Sequence, residues 1–242
     1  MPAQSDTIYI RWCKPSDIVD PALIDYYWSM VSDDERVKIL RFIRPESQHS
    51  SLVTRALIRC YLSQLYPHIA PADWRFSKQA KGKPVLAMQE QGVLAYFNVT
   101  HTRDTIAIAV SERYDLGLDV EHIDSNRAKR LQVAKTVFTE SEQATLEKLS
   151  GYEAYHYFYA LWTLKEAFLK ALGTGLTIAP RKIEFLLNEN QVSVDLSQID
   201  MNGADWQFAL WDVNESSMAL AWQQGAANTK LPHLDSAEFI PS

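Results

Sequence analysis

The 242-residue chain reads as an α+β protein in two halves, residues 1–112 and 113–242. Two long stretches with apolar residues at helical spacing, 32–66 and 153–172, argue for helices. Short runs rich in β-branched and aromatic residues argue for strands at 93–99, 105–110 and 116–121, and again near 182–187, 191–196, 206–213 and 218–222. Together they make an α+β pattern.

The elements follow in order. Ser32-Asp33-Asp34-Glu35 has the composition of a helix cap, and Leu52, Ala56, Leu57 and Leu62 carry helical spacing towards Pro67. Pro45 divides this stretch into two helices. Lys81-Gly82-Lys83-Pro84 marks a turn. After the strands at 93–99 and 105–110, residues 112–115 are expected to link strand 116–121 as a hairpin, with the boundary between the halves here. Helices at 126–138 and 141–149 precede the one at 153–172, whose Phe158, Leu161, Phe168 and Leu172 form an apolar face and which stops at Gly173. Beyond Gly225 there is no persuasive periodicity, so the tail is expected to wrap the surface or to move.

Composition narrows the function classes. With 47% hydrophobic and 22% charged residues the chain is an ordinary globular protein. The start, MPAQSDTIYIRW, shows no basic leader and apolar run, and no apolar stretch approaches the roughly 20 residues that cross a bilayer. A cytoplasmic protein is expected. Cys13 and Cys60 have no metal-ligand or disulfide spacing and read as buried thiols. A net charge of −6 opposes broad nucleic-acid binding. Local basic clusters remain: Arg36, Lys38, Arg41 and Arg44; Lys78, Lys81 and Lys83; Arg127, Lys129 and Arg130. They are solvated surface or sites for a small polyanion.

Gly117-Leu118-Asp119-Val120-Glu121 alternates, so Asp119 and Glu121 share one face of a strand. Two same-face carboxylates suit a hard divalent cation such as magnesium, although in isolation a wet acidic face is the commoner explanation of such a pair. In the long helix Glu166 and Lys170 stand four apart, one above the other. They form either an exposed ion pair or a third carboxylate beside a phosphate-binding cation.

Gly117-Leu118-Asp119-Val120-Glu121, followed about 40 residues on by Trp162-Thr163-Leu164-Lys165-Glu166-Ala167-Phe168-Leu169-Lys170, resembles the paired signature of the surfactin-synthetase-type 4′-phosphopantetheinyl transferases. Gly82-Lys83-Pro84 and Asn98-Val99-Thr100-His101 match further motifs in the same order. The resemblance spans roughly residues 32–187 and implies two similar α/β halves related by a pseudo-twofold axis, with coenzyme A between them. It implies magnesium on Asp119, Glu121 and Glu166, and Lys170 on the coenzyme A diphosphate. His101 with Thr100 would meet the 3′-phosphate, Lys83 and Lys78 would line the nucleotide pocket, and Arg44, with Arg41, would add basic contacts. Thr100 stands where relatives often have Ser, and Glu35 where some have Lys, with Lys38 nearby.

The implied reaction is attack of a carrier-protein serine on the β-phosphorus of coenzyme A, with 3′,5′-ADP leaving. A serine hydroxyl needs a base, and Glu166, directly or through a metal-bound water, is the first candidate, with Glu142 in reserve. Lys165 either reaches the phosphates from the side or pairs with an acid. The helix at 126–138, with Arg127, Lys129, Arg130 and Lys135 beside Leu131, Ala134 and Phe138, is the expected seat of an acidic carrier protein of fatty-acid, polyketide or peptide synthesis. A monomer is expected. Two other readings use the same residues: a magnesium-dependent phosphoesterase, and a binding module for coenzyme A or a carrier that has lost catalysis.

Overall fold

The computed structural model describes residues 5–78, 82–87, 93, 95–125, 127–173, 177–188, 191–199, 201, 205–224 and 231–242, with the backbone alone at 127–129. In chain order the first elements are β1 (Thr7–Cys13), α1 (Pro21–Met30), α2 (Asp33–Leu40), α3 (Pro45–Leu65), β2 (Phe76–Lys78), β3 (Pro84–Leu86), β4 (Tyr96–Thr102) and β5 (Thr105–Ser111). Then come β6 (Leu116–His122), α4 (Arg127–Val137), α5 (Glu140–Lys148) and α6 (Gly151–Leu172). Strands β7 (Glu184–Asn188), β8 (Gln191–Asp195), β9 (Asp205–Val213), β10 (Ser216–Gln224) and β11 (His233–Glu238) complete the chain. Among the described residues no helix is long and apolar enough to cross a membrane.

The chain forms two compact units, one of Met1–Gln79, Pro84–Arg113 and Pro232–Ser242, the other of Ala80–Lys83 and Tyr114–Leu231. The expected division at 112/113 falls one residue from this crossing, but the assignment of the last residues to the second half is corrected, because β11 pairs in parallel with β1.

In the first unit a sheet of order β11-β1-β5-β4 packs beneath α3. Ser32 and Glu35 form a reciprocal capping box that starts α2, and Pro45 opens α3 at a position where a missing N–H costs nothing. Leu52, Val53, Ala56, Leu57, Cys60 and Tyr61 turn the buried face of α3 onto Ile106, Ile108 and Val110 of β5. The tail is tied down rather than loose: Arg11 meets Asp235 at 2.9 Å, and the Tyr27 hydroxyl donates to Pro241 O at 2.7 Å. Cys13 and Cys60 are buried free thiols.

In the second unit α6 covers a three-stranded sheet of order β6-β10-β9, all antiparallel. Phe168 of α6 packs edge-on against Trp206 and Phe208 of β9. The expected hairpin between the strands on either side of residues 112–115 does not form. Strand β5 is already paired on both edges, by β1 and β4, so β6 begins a second sheet and pairs with β10.

Candidate active site

Strand β6 sets the site. Leu118 and Val120 enter the core, and Gly117, Asp119 and Glu121 lie on the other face. That face is not wet. Asp119 is only 4% exposed, because α6 lies directly on the strand. A Cβ at Gly117 would stand 2.1 Å from Ala167 O and 2.3 Å from Ala171 N, so only glycine admits the helix this closely.

The close approach brings one stripe of α6 over the acids. Trp162, Glu166 and Lys170, each four residues apart, share a helix face. Trp162 Nε1 donates to Glu121 Oε1 at 2.9 Å. Lys170 Nζ reaches Asp119 Oδ1 at 2.5 Å and Leu118 O at 3.3 Å. Burial, then the charge of Asp119, pushes the Glu121 carboxyl above its ordinary range, and the same two causes in the same order raise Glu166. Three carboxylates are thus close enough to feel one another, with Lys170 opposing the repulsion.

The donor set consists of hard oxygens bearing excess negative charge, which fits a divalent cation such as magnesium. No group of three acid, histidine or cysteine side chains is gathered as a ready metal cage among the described residues. Asp119 holds Lys170 instead.

Several sequence candidates are placed elsewhere. Glu142 is corrected: it is 1% exposed, accepts from Thr139 N at 2.8 Å and Phe185 N at 2.9 Å, and pairs with Lys165 at 2.9 Å, so its acceptors are occupied by structure and it is no reserve base. Of the two readings of Lys165, pairing with an acid is the one seen, and its ammonium also bonds Pro180 O and Ile183 O inside the core rather than reaching sideways to phosphates. Burial pushes the Lys165 pKa down, with Glu142 opposing.

Lys83 is drawn to the far end of α6, where it meets Asp115 at 2.6 Å, Leu116 O at 3.1 Å and Ala171 O at 3.3 Å. A cation there satisfies helix-end carbonyls. Lining a nucleotide pocket is not its contact in this structure.

On the expected carrier-binding helix, Ala134 and Phe138 are core, and Leu131 is 39% exposed. Arg130 is buried, donates to Asp124 O and to Ser125 O at 3.1 Å, and lies 4.0 Å above the Tyr155 ring. Ala134 and Phe138 are therefore packing while Leu131 stays exposed, and charge reversal at Arg130 would disturb the fold. Arg127 and Lys129 side chains, and Lys81, lie outside the described residues.

In the first unit Arg44 caps α3 and is exposed, as are Arg41, Lys38 and, at the end of β2, Lys78. Thr100 is buried and His101 exposed on β4, so the two do not present to one ligand side by side. Glu35 turns onto Arg59 at 2.6 Å.

Sequence reasoning assigned no role to Gly117 and Trp162, although both lie inside the motifs. An alternating strand with Gly at its head facing a helix with Ala at 167 and 171 was the available signal.

Family models match both parts of the chain. A model described as the 4′-phosphopantetheinyl transferase superfamily matches residues 115–222, and one described as 4′-phosphopantetheinyl transferase, N-terminal, matches 21–113. The 4′-phosphopantetheinyl transferase Sfp of Bacillus subtilis strain 168 is 31% identical over 70% of this chain and 73% of its own length. The transferase ffp of Bacillus subtilis is 32% identical over 72% and 75%. Among solved structures, a holo-(acyl-carrier-protein) synthase from Bacillus anthracis in complex with CoA (3′,5′-ADP) aligns with a TM-score of 0.40 at 18% identity, covering 45% of this chain and 94% of that one. With both signature motifs folded onto one acidic face and relatives above 30% identity along most of its length, the chain belongs to the 4′-phosphopantetheinyl transferase superfamily.

Proposed function

We propose that this enzyme transfers the 4′-phosphopantetheine arm of coenzyme A to a serine of an apo carrier protein, acting as a monomer in the cytoplasm. The observation that carries the reading is α6 seated on Gly117, which sets Glu166 and Lys170 over Asp119 and Glu121.

The serine oxygen forms a bond to the β-phosphorus as the bond from that phosphorus to the 3′,5′-ADP oxygen breaks. Glu166 takes the serine proton as the new bond forms. Lys170 offers its ammonium to the diphosphate as charge collects on the leaving group. Asp119 and Glu121, with Glu166 as a loose third donor, would hold a magnesium ion, which when bound supplies positive charge at the diphosphate. Trp162 keeps Glu121 in place by its indole N–H. On the first unit, exposed His101 is assigned to the 3′-phosphate, Lys78 to the nucleotide pocket, and Arg44 and Arg41, with Lys38 near them, to further basic contacts; support comes from the family's motif order at His101 and from exposure. The carriers served are those of fatty-acid, polyketide or nonribosomal-peptide synthesis.

The test is product identity. Incubation with coenzyme A and magnesium should yield 3′,5′-ADP only when an apo carrier is present. Release of pantetheine phosphate or inorganic phosphate without carrier would favour a phosphoesterase, and no product under either condition would favour a binding module.

A further inference from the structure

Two of the contacts that seat helix α6 lie on nearly opposite sides of it. On the sheet side Ala167 and Ala171 lie against Gly117, a contact of small groups that permits close approach but gives no side chain to interlock. Each helical residue turns by about 100°, so Lys165 stands about 100° from Glu166 and about 160° from Ala167. Its ammonium meets Glu142 Oε2 at 2.9 Å, Pro180 O at 3.0 Å and Ile183 O, three acceptors for three donor hydrogens. Glu142 in turn accepts from Thr139 N and Phe185 N. Both side chains are 1% exposed. One buried pair therefore joins α6 to the first turn of α5, to the segment after α6 and to β7.

Phe168, edge-on to Trp206 and Phe208, holds the helix by apolar packing, and Lys165 adds a directional contact that resists rolling about the axis. Rolling would pull the Lys165 ammonium off its acceptors and leave a buried charge unpaired in an apolar interior. The consequence at the site is geometric: a roll of about 20° moves an atom roughly 6 Å from the axis by about 2 Å. Errors of about 1 Å in a reacting group can cost on the order of 100-fold in rate.

We propose that Lys165, held by Glu142, is a positioning residue that fixes the roll of α6 and so aims Glu166 and Lys170 at Asp119. The kinetic half of this proposal rests on the transferase reading; the structural half does not.

The test replaces the pair with neutral groups, Lys165→Met with Glu142→Gln, the glutamine oxygen keeping an acceptor for one of the two backbone N–H groups, Thr139 or Phe185. Two readouts are taken on folded protein: the ¹H–¹⁵N indole resonance of Trp162, identified by its loss in Trp162→Phe, and the kcat and KM for coenzyme A. The Trp162 resonance should move further than the other indole resonances, and kcat should fall about 10-fold to 100-fold while KM for coenzyme A changes by less than about threefold. A stationary Trp162 resonance, or a kcat within about twofold of the parent, overturns the proposal. If the double variant does not fold, Glu142→Gln alone is judged by the same two limits. If the parent modifies no carrier, the transferase reading fails and the indole shift alone decides the proposal.

Discussion

At Gly117 the reason for glycine is space, since an added methyl would stand 2.1 Å from one α6 backbone atom and 2.3 Å from another. Backbone cannot yield as a flexible side chain can, so Gly117→Ala should lift α6 off the strand. We expect about 2–3 kcal/mol of destabilisation, read by urea unfolding, and loss of most activity in the protein that remains folded. Glu121 behaves in the opposite way. Burial and the charge of Asp119 raise its pKa, so the folded state binds its proton more tightly and its ionised form opposes folding at neutral pH. Glu121→Gln keeps an acceptor for Trp162 and removes the charge. Without divalent cations its melting temperature at pH 7 should rise by about 2 °C while transfer is lost, and a lower melting temperature would contradict the repulsion inferred here.

Helices show which parts of the molecule a sequence makes legible. Capping by Ser32 and Glu35, the break at Pro45 and the stop at Gly173, with φ of 61°, are local events readable from a few residues. The choice between Lys165 and Glu166 as site or core is not local: neighbours on a helix differ only in which neighbouring element each meets, and β7 and α5 decide it. Likewise β5 and β6 looked like hairpin partners because they are close in sequence, whereas strands distant in the chain claimed their edges. The join of α2 to α3 also predicts a pH response. Burial alone would raise the Glu35 carboxyl, but the Ser32 N–H and Arg59 outweigh it and hold it below its ordinary value of 4.5. With a lowered folded pKa, the stability contributed by ionised Glu35 is present above 4.5 and lost as pH falls through the lower folded value. Glu35→Gln should therefore destabilise by about 3 kcal/mol at pH 7 and by clearly less near pH 3. Equal losses at the two pH values, measured by urea unfolding, would sink this account.

For the whole molecule, the second-unit site was readable because both motifs fall within residues 117–170, while closure of the first unit by the last eleven residues was not. β11 carries no periodic signal, and its place depends on β1, more than two hundred residues earlier. Phe239 packs edge-on against Tyr61 with ring centroids 5.4 Å apart, so a chain ending before Pro232 should lower the urea midpoint of the first unit, and an unchanged midpoint would show the strand to be dispensable. The central claim is that the acids and lysine gathered by α6 on Gly117 transfer phosphopantetheine. The most direct measurement is the intact mass of an apo carrier incubated with coenzyme A, magnesium and either the parent protein, Asp119→Ala or Lys170→Ala. A phosphopantetheine-sized gain with the parent and rates at least about 100-fold lower with both variants is the predicted result. No gain with the parent on any of several carrier types, or near-parental rates in both variants, would contradict the claim.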